Sequence, residues 1–324
     1  MKKEKEKGKV MGIIGKIAIV ILIVMIFGKG CGAILSKIPS VPDDYTSKVK
    51  TGGDIEAKYL AMGSHDVEFL EGTTMTSVGK LNIFYPKDIK SMDKVPVVIF
   101  LNGTGTKGSK YKALQKHLAS WGFITISNEE DNSFYGEGVE ISIRYLKLCD
   151  AFEGDDESVL KGHIDFDNIG VTGHSQGGIG VINGITIHDK SDMVKAVVIL
   201  SSTETDTAKA LLWDSDASLI KANTLMIGST GDTDSKISPL ESLQNTYNKI
   251  NGVDKVLARR NDADHGQMLY FADGYVTAWF MYYLQNDESA NAFFGENAEM
   301  KNNELYQDVR INLVVKNEKS SNEN

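Results

Sequence analysis

The chemistry in this chain centres on one serine held between glycines, Gly173-His174-Ser175-Gln176-Gly177. It follows the apolar run that starts at Ile169 and leads into a helix-compatible run from Ile179. In a strand, tight turn, helix arrangement, Ser175 sits at the tip of a strained turn with its hydroxyl at the carboxyl edge of a sheet. Gly173 and Gly177 then let strand and helix cross closely around it. A serine hydroxyl is a poor nucleophile at neutral pH, so this reading needs a histidine to take the proton and a carboxylate to orient that histidine.

Of the six histidines, only His265 falls in a late loop, Asp262-Ala263-Asp264-His265-Gly266, where the order serine, acid, histidine requires a base. His174 lies inside the turn itself and reads as packing, while His117 and His188, on or at the end of helices, read as surface or core-edge residues. For the carboxylate, the strand Thr224 to Gly228 runs into Ser229-Thr230-Gly231-Asp232-Thr233-Asp234. Asp232, nearer the strand end, is the expected partner of His265, and Asp234 is the alternate. The oxyanion formed on attack needs preorganised N–H donors. The backbone of Gln176 supplies one, and the glycine-bearing loop Asn102-Gly103-Thr104-Gly105-Thr106 supplies another at Thr104, with Gly103 beside it at the substrate. That loop lacks the Gly-Lys-Ser or Gly-Lys-Thr ending of a phosphate cradle. Trp213, with Leu211 and Leu212, reads either as a buried amphipathic turn, the favoured role, or as the flank of the acyl pocket. The scheme calls for no metal and no cofactor.

The elements that must position these residues read as an α/β class. Strands are expected at His65 to Phe69 and Leu81 to Tyr85, an antiparallel start. Continuous apolar strands follow at Val95 to Leu101, Phe123 to Ser127, Ile169 to Thr172, Val194 to Leu200 and Asn223 to Gly228, then a short one around Val256. Helical spacing recurs between them, as at Tyr111, Leu114, Leu118 and Trp121. Apolar strands without polar alternation, each followed by a helix, imply a doubly wound, mostly parallel sheet with helices on both faces. Only about 20 residues separate the 194–200 strand from the next, which leaves room for a small lid or none.

The 324 residues hold ample apolar content for a full core. Residues 1–60 carry eleven lysines against six acidic residues, net +5, so the remaining chain carries −14 of the overall −9. An acidic body of this kind disfavours nucleic-acid binding. Two cysteines, Cys31 and Cys149, are too few for a disulfide scaffold. The chain divides into a basic segment 1–9, an apolar segment 10–27 broken only by Lys16, a linker 28–60, an α/β domain 61–295 and a polar tail 296–324, in which Ile311 to Val315 either adds an edge strand or merely lies against the domain. The apolar segment reads as a signal anchor, giving a single-pass membrane protein with its catalytic domain outside, or as an export signal that is cleaved to release a secreted protein.

From Val95 to Gly295 the sequence resembles the α/β-hydrolase superfamily, and within it the cutinase-like branch that includes poly(ethylene terephthalate) hydrolases and related bacterial lipases. The likeness is carried by Leu118-Ala119-Ser120-Trp121-Gly122-Phe123, by Ile169 through Gly178, by Thr224 to Gly228 with Asp232, and by the ending from Ala278-Trp279 to Phe293-Phe294. It implies a Ser175, Asp232, His265 triad, an oxyanion hole at Gln176 and Thr104, and a small-molecule ester as substrate. Three features depart from that branch. Thr104 stands where the polyester hydrolases place an aromatic, Ser201-Ser202-Thr203-Glu204 stands where they carry a tryptophan, and their C-terminal disulfide is absent. The resemblance therefore implies ester chemistry without a preference for aromatic polyesters. Amide cleavage, acyl transfer and a non-catalytic binding role on the same scaffold are the competing readings.

Overall fold

The computed structural model describes residues 40–76, 78–153, 158–187 and 193–314. Its nine strands are β1 (Val67–Thr73), β2 (Lys80–Pro86), β3 (Val95–Leu101), β4 (Ile124–Asn128), β5 (Ile164–His174), β6 (Val194–Leu200), β7 (Asn223–Ser229), β8 (Lys255–Arg260) and β9 (Tyr306–Asn312). They form one sheet in the order β1-β2-β4-β3-β5-β6-β7-β8-β9. The six central strands run parallel, while β1, β2 and β9 pair antiparallel at the two edges.

Among the described residues, ten α-helices accompany the sheet: α1 (Tyr45–Lys48), α2 (Asp54–Leu60), α3 (Lys112–Ser120), α4 (Glu137–Ala151), α5 (Gln176–Thr186), α6 (Thr205–Ala210), α7 (Asp234–Ile237), α8 (Leu240–Lys249), α9 (Asp273–Gln285) and α10 (Glu299–Asn302). The apolar strands have no polar side because both faces are covered. In β3, Val98 and Phe100 join the core beneath α3 and α9, whereas Val97, Ile99 and Leu101 join the core beneath α4, α5 and α8. Pro96 has no N–H to give to the ladder, and the β3–β5 register shifts between it and Val97. The expected class, a doubly wound α/β sheet with antiparallel N-terminal strands, is the observed one. The chain places β4 on one side of β3 and β5 on the other, so a topological switch point opens at their carboxyl ends, the usual site of a binding crevice.

Two segments differ from expectation. Residues 41–60 are part of the domain, with Val41, Tyr45, Tyr59 and Leu60 all buried. The Tyr45 hydroxyl donates to the Asp273 carboxylate, Arg260 Nη2 donates to Lys50 O at 2.6 Å, and Glu56 accepts from Asn303 Nδ2 and the Tyr306 hydroxyl, each at 2.8 Å. No periodic pattern marks such a strap, because single buried side chains hold it. The same anchoring buries His117, expected at a surface or core edge. Its Nδ1 lies 2.7 Å from Asp273 Oδ2 and its Nε2 2.9 Å from Ala61 O. Burial works against the charged imidazole, and the Asp273 charge and these hydrogen bonds outweigh it, raising the pKa above the ordinary value. At the other end, residues 299–312 supply α10 and the edge strand β9 where a polar tail was expected.

Among the described residues, no helix is long and apolar enough to cross a membrane. The expected single-pass anchor, with the membrane as a partner and the catalytic domain held outside it, is therefore not borne out by the described residues. The 10–27 segment that suggested it lies outside the described residues, and its eighteen positions, interrupted by Lys16, are at the lower limit for a span.

Candidate active site

Ser175 links the last residue of β5 to the first of α5 with φ 59° and ψ −119°, a conformation that costs a non-glycine residue about 1–3 kcal/mol. Its surroundings hold it there. The Ser175 N–H donates to Leu200 O at 2.9 Å, and its carbonyl accepts from Gly178 at 3.0 Å and Thr203 at 3.3 Å. The flanking glycines are needed for space. A Cβ on Gly173 would lie 2.2 Å from Gly177 O, and one on Gly177 would lie 2.3 Å from Leu101 O. Gly177→Ala is therefore expected to lower unfolding stability by about 2–4 kcal/mol, because the contact is backbone against backbone and no side chain can yield. Denaturant unfolding of the purified variant measures this, and a change within 0.5 kcal/mol, roughly that of an ordinary surface substitution, would contradict it.

His265 opens a short 3₁₀ turn, His265–Leu269, whose start is fixed by a capping box between Asp264 and Gln267. Its Nδ1 meets Oδ1 of Asp234, not Asp232, at 2.6 Å. Asp234 is fully buried, and its second oxygen accepts the Ser229 N–H at 2.6 Å. Asp232 is exposed. This corrects the expected choice between the two aspartates, and the reason lies in the turn after β7. Residues 230–233 loop outward, with Gly231 backed against Ala263 O of the histidine loop. The first turn of α7 then carries Asp234 back to the strand end. Proximity in sequence favoured the wrong residue, and the signal that would have found the right one is the helix start at Asp234.

His174 has more than a packing role. Its ring lies 4.5 Å from that of His265, and its Nε2 is 2.8 Å from the His265 carbonyl. A carbonyl only accepts, so Nε2 carries the proton. Burial and then the neighbouring His265 push the His174 pKa down to about 3, with the Asp234 charge opposing them. His174 is therefore a neutral donor that fixes the backbone of His265.

The two expected oxyanion donors, Gln176 and Thr104, follow the carboxyl ends of β5 and β3, the strands beside the switch point. Gln176 N–H is the first of α5 and has no acceptor within the helix. In the β3 loop the Gly103 N–H is taken by the Tyr111 hydroxyl at 3.0 Å. Thr104, between that bond and Gly105 at φ 65°, supplies the next N–H. Behind both runs a polar lattice that spacing did not reveal. Asn102 Nδ2 donates to Asn128 O at 2.9 Å and to Glu130 O at 3.1 Å, the Ser133 hydroxyl donates to Asn102 O, and Ser133 N–H donates to Gln176 Oε1 at 3.0 Å. Ser133 thus ties the β3 loop to the residue after the serine.

Glu130 sits in this lattice, almost wholly buried, with Asn128 Nδ2 3.2 Å from its Oε1. Burial raises its pKa from 4.5 to about 7, with the Asn128 hydrogen bond opposing and the Glu137 charge adding. Below pH 4.5 both folded and unfolded states are protonated and the group contributes nothing. As pH rises toward 7, the unfolded state ionises freely while the folded state resists, so folding loses up to roughly 3 kcal/mol. Glu130→Gln keeps the oxygen that Asn128 uses. It is expected to raise Tm relative to the parent at pH 8 and to leave it unchanged at pH 4, as measured by thermal unfolding at both values.

Trp213 stacks on Phe134, with centroids 5.2 Å apart and planes at 24°. Asn183 Nδ2, on α5, holds the two loops together by donating to Phe134 O at 2.7 Å and Asp214 O at 2.9 Å. The connection from β6 to β7 contains only α6 and a 3₁₀ turn, so among the described residues it supplies no lid domain over the serine.

A family model described as PETase, PET hydrolase-like, matches residues 47–310. Its bounds take in most of the N-terminal strap and most of β9. No curated protein matches the chain.

Proposed function

Because this chain belongs to the PET hydrolase-like family, a cutinase-like branch of the α/β-hydrolases and an ester-hydrolase family, we propose that it cleaves carboxylic esters through Ser175, His265 and Asp234 by way of an acyl-enzyme. The observation that carries this reading is the 2.6 Å bond from His265 Nδ1 to the buried Asp234 carboxylate, at the same end of the sheet as the left-handed Ser175 turn.

With Nδ1 committed to Asp234, the other ring nitrogen of His265, Nε2, is the one left to accept a proton. It removes the Ser175 proton as Oγ attacks the ester carbonyl, and the imidazolium formed is stabilised by the Asp234 carboxylate. Charge on the carbonyl oxygen is met by the N–H groups of Gln176 and Thr104, each worth about 10²–10³-fold in turnover. Collapse breaks the bond to the alcohol, which leaves with the proton from His265. Water, deprotonated by the same nitrogen, then releases the acid and restores Ser175. The missing lid and the threonine at position 104 suit short and medium acyl esters.

Turnover of p-nitrophenyl acyl esters of increasing length, set against matched p-nitroanilides, tests the reading. Ester kcat/KM well above that of the anilides is expected. Absence of ester turnover, or anilides cleaved as fast, would contradict it.

A further inference from the structure

The ester reading leaves unexplained an aromatic shelf on the loop that bonds Gln176, the residue after the serine. Tyr135 lies against Phe134 with centroids 4.1 Å apart, and Phe134 stacks on Trp213. Tyr135 is 59% exposed, and Leu212, just before Trp213, is 79% exposed. Leu212 also has φ 61°, so the chain holds a bulky apolar side chain toward solvent in a backbone conformation that is costly for it. A solvated loop has no need of this. The shelf is built and not adventitious, because the Asn183 amide clamps both strands of it.

Two connections tie it to the chemistry. Ser133, the residue before Phe134, bonds Gln176 and Asn102. Asn183 is seven residues along α5 from Gln176, about 10 Å at 1.5 Å per residue. Exposed acids outnumber exposed lysines around the shelf, three to two. Asp131, Glu137 and Asp214 flank its aromatic residues in sequence and are all exposed. Asp131 has an exposed partner in Lys107 at 3.3 Å, and Lys209 precedes the Trp213 turn. Aromatic faces attract organic cations, and an acidic rim strengthens that attraction while repelling anionic esters. A neutral aromatic group would use the faces and gain nothing from the charge.

We infer that the Phe134–Trp213 shelf receives an organic ammonium group carried by the substrate, so that this hydrolase prefers cationic esters. The inference rests on the ester reading above.

The test uses two matched pairs at low ionic strength. One is a choline ester against the 3,3-dimethylbutyl ester of the same acid. The other is an ester with a trimethylammonium group on its acyl chain against its uncharged carbon isostere. Preference for the cationic member by about 10-fold in kcat/KM is expected in at least one pair, and Trp213→Leu should reduce that ratio to within about twofold. Equal rates in both pairs, or a preference that survives Trp213→Leu, would overturn the shelf assignment while leaving ester hydrolysis standing. Absence of turnover on all four esters would overturn both.

Discussion

Ser175→Ala is expected to lower ester turnover by about 10⁴–10⁶-fold while leaving the fold intact. The size follows from what is removed. Without Oγ no acyl-enzyme forms, and the remaining N–H donors at Gln176 and Thr104 can only polarise an ester toward water. The fold should not suffer, because Ser175 is anchored by its backbone, through Leu200, Gly178 and Thr203. The Tm of the variant should match or exceed that of the parent, since Ala removes a hydroxyl that packing does not use. Turnover within tenfold of the parent would place the nucleophile elsewhere.

The second large effect separates the two aspartates. Asp234→Asn is expected to cost about 10⁴-fold in kcat, and Asp232→Asn less than about twofold, as befits a surface change. Asp234 accepts two hydrogen bonds in a fully buried position, one from His265 Nδ1 and one from Ser229 N–H. An asparagine offers only one accepting oxygen. Its NH₂ must face one of these donors, so either the imidazole turns to the wrong tautomer or the end of β7 loses its bond. Parallel kinetics on the two variants decide the assignment, and equal losses, or a larger loss at position 232, would contradict it.

Much of this molecule was legible in its sequence because its strongest features are local. An apolar strand covered on both faces leaves an uninterrupted run, and Val95–Leu101 and Val194–Leu200 were readable for that reason. The turn at Ser175 was readable because close backbone contacts at positions 173 and 177 admit only glycine. His265 was readable from chain order. What the sequence hid depends on how the chain returns on itself. Asp234 outcompetes Asp232 because a helical turn brings it back to β7, and distance along the chain carries no such information. The strap of residues 41–60 looks like a linker since its anchors, Tyr45, Lys50 and Glu56, find partners more than two hundred residues away. Ser133 and Asn102, which join the two halves of the proposed oxyanion site, are ordinary loop residues until their partners are in view. His174 read as packing because the carbonyl it holds belongs to a loop ninety-one residues away.

The central claim is that one hydroxyl, Ser175, is activated as a nucleophile, and covalent labelling tests it most directly. The folded protein is treated with a fluorophosphonate, and the modified peptide is mapped by mass spectrometry. One adduct per chain on the peptide containing Ser175 is the expected result, greatly slowed in Asp234→Asn. A folded protein that takes no label, or one labelled at another residue, would contradict the account.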